Sequence, residues 1–407
     1  MASTDMTQRK NCDFLIIGAG IAGLSLGISL LDSNSSLKVI IAEKESQLGA
    51  HASGRNSGVL HAGFYYTPNS LKAKFCKEGN QKLTKLALSH KVPLEKIGKI
   101  VVTKDASEID DLKNLAERGA INGIDVEVLP AKSLSKFEPL AQTVESFLWS
   151  PTTAISSPLH VLSALRDEFL RKGGELVLVN SFSLHESQGE IFDYNGKIHA
   201  KYYINAGGAQ SLRIAHKINV GLRYAMIPFL GRYISVEKDK LPLKTLVYPV
   251  PHKVNPFLGI HLTPTIYGVV KIGPSALPVL GSQQYRLFQK MSAHDTYQSL
   301  SGLLALISRG QNDLNSIFWE EFRNLRKNHL VAEAAKLVPL VREITGWSRP
   351  KSGIRSQLVH LPTGELVQDF IVEKHLNSMH LLNIVSPGWT SAMALADNIV
   401  EENFLSS

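Results

Sequence analysis

Cysteine is scarce: Cys12 and Cys76 are the only two in 407 residues. One lies near the start and the other in an expected helix, which predicts two free thiols in a reducing compartment, the cytoplasm or an organelle matrix. Two cysteines so placed exclude a CxxC redox pair and a cysteine-built metal centre, and no metal is expected. No apolar run approaches the roughly 20 residues of a membrane span. Met1 to Lys10 is polar and has no signal-peptide core. Internal repeats and low-complexity tracts are also missing. Acidic residues are the minority, 36 against 44 Lys and Arg, for a net charge of +8. The basic residues are scattered and no nucleic-acid motif occurs, so nucleic acid is not an expected partner. The surplus suits solubility, an anionic substrate or an anionic membrane surface. What remains is an ordinary globular composition, 44% apolar and 20% charged. The length exceeds one ordinary core and predicts two domains.

The chain opens with a dinucleotide-binding fingerprint. The strand Phe14-Leu15-Ile16-Ile17 runs into Gly18-Ala19-Gly20-Ile21-Ala22-Gly23, a helix pattern follows, and a second strand, Lys38 to Ala42, ends in Glu43. Gly18 permits the tight turn, Gly20 admits a pyrophosphate close to backbone, and Gly23 lets helix pack on strand. The helix N-terminus faces the phosphates. Glu43 stands where an acid accepts hydrogen bonds from ribose hydroxyls. These parts in this order predict an adenine dinucleotide.

The next segment favours flavin. Residues 51–66, HASGRNSGVLHAGFYY, are too small and polar for a core element. Their glycines and their hydroxyl and amide groups suit a loop passing under a flat ligand, with Ser53, Arg55, Asn56 and Ser57 as contacts. This run resembles the flavin loop of the L-2-hydroxyglutarate dehydrogenase/oxidase family, within the D-amino-acid oxidase-like flavoproteins. Similar segments continue through Ile227-Pro228-Phe229, Tyr248-Pro249-Val250-Pro251, residues 256–263, Ile272-Gly273-Pro274, Gly353-Ile354-Arg355-Ser356-Gln357 and Asp369-Phe370. The resemblance implies an α/β fold: a Rossmann-type FAD-binding domain with a discontinuous antiparallel-sheet substrate domain. The expected division is 11–87, 150–217 and 343–405 for FAD, and 88–149 and 218–342 for substrate.

Periodicity adds elements to that frame. Helices are expected over 71–87, 106–121 and 159–171, and strands at 99–103, 126–129, 146–149 and 175–180. Asn195-Gly196 is a hairpin signal. Strands at 227–236, 246–249, 257–262 and 268–272 suggest an antiparallel sheet with one face towards a ligand. Residues 296–342 read as mainly helical, and 353–402 are expected to return to the first domain. Lys201 to Ala209 reads as a strand entering Gly207 and Gly208, a step that flavoproteins of this class place near the cofactor. Residues 386–392, SPGWTSA, precede an apolar helical pattern. Gly388, Thr390 and Ser391 would then put a helix N-terminus at the pyrimidine edge of the flavin.

The resemblance implies oxidation of a small 2-hydroxy acid, most like L-2-hydroxyglutarate to 2-oxoglutarate, by hydride transfer to flavin N5. Such a reaction needs a base near neutral pKa and a fixed cation. His61, in the flavin loop, is the first choice for the base, and His261 the second; either could instead only hydrogen-bond the flavin or the core. Arg355 matches a carboxylate bidentately. Tyr65, Tyr66 and Gln357 are candidate second contacts, with packing the stronger role for the tyrosines. The chain departs from the family at Leu230, Arg232, His252 and Ser275, which leaves the second carboxylate of the substrate without an assigned partner. Quinone or oxygen would accept the electrons. Quinone is favoured by the basic amphipathic stretch Arg323 to Leu340, which could lie on a membrane surface, although an ordinary packed helix reads equally well. The competing readings are an amino-acid or amine oxidase on the same fold and a non-catalytic FAD-binding protein.

Overall fold

A computed structural model describes residues 10–193, 198–251, 259–286, 291–309, 321 and 323–405. The expected Asn195-Gly196 turn, His252 and the first residues of the expected strand at 257–262 lie outside that set.

The strand Lys10–Ile17 is buried on both faces, as a central strand of a parallel sheet must be. Ile16 packs into one apolar cluster and Leu15 and Ile17 into another, on opposite sides. Ile198–Asn205 and Val39–Glu43 flank it in parallel. The sheet runs Val372–His375, Ser378–Leu381, Ile198–Asn205, Lys10–Ile17, Val39–Glu43, Glu175–Leu178. Helix Ile21–Ser33 covers one face and is buried at ten of its thirteen residues, so its apolar pattern runs nearly all round. The helix fits only because glycines open its surface. A Cβ on Gly23 would lie 1.9 Å from the Gly18 carbonyl oxygen, and one on Gly27 would lie 2.7 Å from the Phe169 ring.

The second large sheet is mainly antiparallel. Its order is Glu365–Leu366, Gly353–His360, Tyr224–Glu237, Val269–Pro278, His261–Pro264, Leu246–Pro249, Lys99–Val102, Ser146–Ser150, Glu127–Pro130. The 14-residue strand Tyr224–Glu237 is its spine, and its register with Val269–Pro278 slips between Arg232 and Ile234. That bulge places Tyr233, Pro274 and Ser275 along the wall of the large cavity described below.

Two expectations change. Gly353–His360 pairs with Tyr224–Glu237, Arg355 opposite Phe229, so the last segment first serves the substrate sheet. It rejoins the parallel sheet only at Val372–His375. The expected return at 343–353 read a short apolar strand without its partner, and strand pattern alone does not name the sheet. The stretch Arg323 to Leu340 is also not a surface helix with a free apolar face. Leu330, Leu337 and Val338 are buried with Ile234, Val236 and Leu262 under the large sheet. Among the described residues no helix is long and apolar enough to cross a membrane.

Candidate active site

A cavity of about 1100 Å³ runs between the two sheets. Typical small-molecule clefts occupy roughly 300–1,000 Å³, so this one exceeds the needs of a single small acid. One end lies at the C-terminal ends of the parallel strands, where doubly wound sheets bind ligands. Gly18 has φ +103°, and a Cβ there would sit 2.8 Å from the Ala206 carbonyl oxygen. Gly20, Ile21 and Ala22 bring the helix N-terminus to the wall, and Gly207 faces it from the neighbouring strand end. A Cβ on Gly20 would meet one protein atom within 4 Å, Ser53 Oγ at 3.1 Å, and otherwise cavity space. Glu43 is held by backbone: one carboxylate oxygen accepts from Ala19 N–H at 2.8 Å, the other from Lys44 and Glu45 N–H.

The polar loop is shaped by its own side chains. Ser53 Oγ accepts from Ile21 N–H, and Asn56 bonds Ser53 O and Gly58 N–H. Arg55 donates to Ala50 O and Ser352 O and stacks its guanidinium 3.9 Å from the Tyr285 ring centroid. Ser53, Arg55, Asn56 and Ser57 all line the cavity. Glycine cradle, helix N-terminus, acid and loop fit a bound FAD, with the adenosine at the Glu43 end.

His61, His261, Arg355, Tyr233 and Tyr248 line the other end. His61 follows the strand Val59–Leu60. Its backbone N–H donates to Thr390 Oγ1 at 3.1 Å, and its carbonyl accepts from Asn80 at 3.0 Å. Burial, then the Lys99 charge, then His261 hold its imidazolium well below the ordinary histidine range. His261 stacks on Tyr248 with ring centroids 4.0 Å apart. Its Nδ1–H donates to Gly259 O at 2.8 Å, which leaves Nε2 unprotonated. Burial pushes its pKa down to about 4. Arg355 projects from the bulged region of the sheet; burial lowers its pKa while Tyr66 and Tyr233 oppose that. The acidic cavity-lining residues, Glu43 and Glu45, belong to the nucleotide end.

Several predicted site residues lie behind the wall. A Gly23 Cβ would strike Gly18, so Gly23 acts through packing. Gly388 lines the cavity, but Thr390 and Ser391 do not; Thr390 instead ties the His61 loop to the helix Gly388–Val400. Gln357 is buried and donates to Val367 O at 2.7 Å, away from the cavity. Tyr65 packs at 4.3 Å, centroid to centroid, on Phe64 behind the wall. Among the family departures, Ser275 lines the cavity, while Leu230 packs with Val279 and Ile354. Arg232, opposite Ser275 in the sheet, is not a lining residue.

Sequence reasoning missed Lys99 and Tyr233. Lys99 is 0% exposed at the head of a strand buried throughout. A lysine opening an otherwise apolar buried strand was the available signal.

Fold and cradle define a flavin oxidoreductase, and the comparisons agree. The family described as FAD dependent oxidoreductase (DAO) matches residues 13–402, and the chain belongs to it. It is 33% identical over 416 residues to the mitochondrial L-2-hydroxyglutarate dehydrogenase of Caenorhabditis briggsae, covering 96% of this chain and 92% of that protein. It is 32% identical over 399 residues to the L-2-hydroxyglutarate dehydrogenase of Escherichia coli (strain K12), with the same coverage. Within the class, the chain belongs to the L-2-hydroxyglutarate dehydrogenase family. The FAD-bound L-α-glycerophosphate oxidase of Mycoplasma pneumoniae shares the fold, with a TM-score of 0.71 at 21% identity over 96% of this chain and 94% of that one.

Proposed function

We propose that this protein oxidises a small 2-hydroxy acid to the 2-keto acid, with L-2-hydroxyglutarate as the substrate to test first. The observation that carries the reading is the convergence of His61, His261 and Arg355 on the end of the cavity opposite the dinucleotide cradle. FAD, when bound, supplies the two-electron acceptor. The protein's own residues do the rest. Arg355 holds the 1-carboxylate through two parallel N–H donors and fixes the orientation of C2. His61 is neutral at physiological pH, because burial and Lys99 depress its pKa, and so can take the hydroxyl proton. His261 presents an unprotonated Nε2 and is the second choice for the base. The two sheets and the ring of Tyr233 and Tyr248 exclude water from the reacting carbon.

An amino-acid substrate fits less well. Its ammonium group would meet Arg355 and Lys99 with no acidic lining residue at that end among the described residues. The deciding experiment is an anaerobic screen of 2-hydroxy acids against amino acids, read by flavin bleaching. Bleaching by L-2-hydroxyglutarate and not by amino acids supports the reading; bleaching by amino acids alone refutes it. No bleaching by any acid would favour a non-catalytic FAD-binding protein.

For the acceptor we favour a membrane quinone over oxygen. The surface that supports peripheral contact is not the packed Arg323–Leu340 stretch but helix Ala293–Arg309. There Tyr297, Leu300, Leu304 and Ile307 are 68%, 47%, 66% and 65% exposed. Their spacing sets them on one helical stripe. Both cysteines are buried free thiols, which suits a reducing compartment, cytoplasm or organelle matrix.

A further inference from the structure

Lys99 is a buried cation that the reaction, as derived so far, does not use. Its Nζ lies 3.3 Å from His61 Nδ1. It also stands 4.2 Å from the Tyr248 ring centroid, 5.0 Å from that of Tyr65 and 5.5 Å from that of Phe64. It is 0% exposed and is not a cavity-lining residue, whereas His61 is. The imidazole therefore stands between the cavity and the lysine. We propose that Lys99 is the positioning residue of the base: its protonation state sets the tautomer of His61 and so decides whether Nε2 can accept the substrate proton. This rests on the reading of His61 as the base.

The argument is one of donors and acceptors. An ammonium can only donate, so a charged Lys99 requires a lone pair on Nδ1. Neutral His61 then carries its proton on Nε2, the nitrogen turned away from Lys99, and cannot act as a base there. A neutral amine can accept from Nδ1–H. Nε2 then holds the lone pair. In the reaction the hydroxyl proton passes to Nε2 as the Nδ1 proton passes to Nζ, leaving a neutral imidazole and an ammonium. The electron pair leaves with the C2 hydrogen to FAD, the family's oxidant. The charge formed ends under three aromatic faces, which stabilise a cation more than its neutral form.

The groups facing Lys99 leave it free to titrate alone. His61, Phe64 and Tyr65 come from the flavin loop, Cys76 from helix Leu71–Ser89, Tyr248 and His261 from adjacent strands. Burial raises both tyrosines, pushes Cys76 up to about 12 and His261 down to about 4, so all four are neutral near pH 7. Burial brings Lys99 itself down to about 7.

The test combines stopped-flow flavin reduction by L-2-hydroxyglutarate with ¹⁵N NMR of the histidine ring nitrogens in oxidised holoenzyme without substrate. In the parent, His61 should exchange tautomers around pH 7 and the reduction rate should rise with pH over the same range. Lys99→Met should keep FAD, lose the tautomer exchange, lose the rise and reduce flavin roughly 10²-fold slower or worse. Lys99→Arg keeps the charge but cannot lose a proton, so it should be slow at every pH. Parent-like pH dependence in Lys99→Met, or parent-like rates in Lys99→Arg, would overturn the proposal. Where a variant fails to hold FAD, the parent spectrum decides: a His61 tautomer that stays constant across this range rules the switch out. His61→Ala separates the two readings. If it reduces flavin at the parent rate, the base assignment itself fails. If it stalls while Lys99→Met is parent-like, only the role of Lys99 falls.

Discussion

Gly20→Val is expected to remove FAD while leaving the chain folded. The backbone at Gly20 has φ −74° and ψ 179°, an extended conformation that valine adopts without strain. The new Cβ would press only on Ser53 Oγ at 3.1 Å, and the rest of the side chain would enter the cavity. Moving Ser53 weakens its bond to Ile21 N–H, a helix-capping contact worth about 1 kcal/mol. The apoprotein should lose no more than that. The cofactor loses the close approach of backbone to pyrophosphate. At FAD a hundredfold above its Kd, binding stabilises the parent by about 2.7 kcal/mol, and the variant should gain none of it. Gly23→Ala is the contrasting case. Its Cβ would lie 1.9 Å from Gly18 O and 3.3 Å from the Ile16 side chain, so the apoprotein itself should lose roughly 1–3 kcal/mol or more. The assay is flavin content by absorbance, with thermal melts of each protein with and without added FAD. Parent-level flavin in Gly20→Val, or an unaltered melt for apo Gly23→Ala, would refute the division of labour between the two glycines.

Further outcomes follow from the same geometry. His61→Ala should slow flavin reduction roughly 10²- to 10⁴-fold with FAD retained, whereas His261→Ala should slow it less; stopped-flow traces of the pair would reverse the ranking if His261→Ala alone stalls. Arg355→Lys should raise KM strongly by losing the two-pronged donor set, and kinetics matching the parent on every accepted acid would remove Arg355 from the substrate. Stability should rise with pH from about 7. Burial holds Lys72 and Lys99 near 7, far below an unfolded lysine, so the unfolded state binds more protons above that point. The rise should flatten above about pH 8.5, where unfolded cysteines ionise and buried Cys12 and Cys76, both pushed up to about 12, do not. Denaturant melts across this range test it, and a flat or falling curve between pH 7 and about 8.5 contradicts it. Quinone analogues should reoxidise the reduced enzyme faster than air; rapid peroxide-forming reoxidation without quinone stimulation would reverse that choice.

The sequence by itself determined the nucleotide-binding half of this protein. Gly18, Gly20, Gly23 and Glu43 act through backbone conformation and close approach, and their order along one strand–helix–strand unit is local enough to read in line. His61 and Arg355 were legible because the flavin loop and the Gly353–Gln357 segment keep recognisable residue patterns. Which residues touch the cavity was decided by tertiary structure. Gln357 lies two positions from Arg355 yet donates to Val367 O, and Thr390 braces the His61 loop from behind. Strand Gly353–His360 found its partner in Tyr224–Glu237, more than a hundred residues away, because strand pattern fixes a buried face and not the neighbour that covers it. The same limit hid the link between Lys99 and His61. A lysine in a buried strand is only a cost in the sequence, and its 3.3 Å approach to an imidazole 38 residues earlier exists only once the sheet and the flavin loop are packed together.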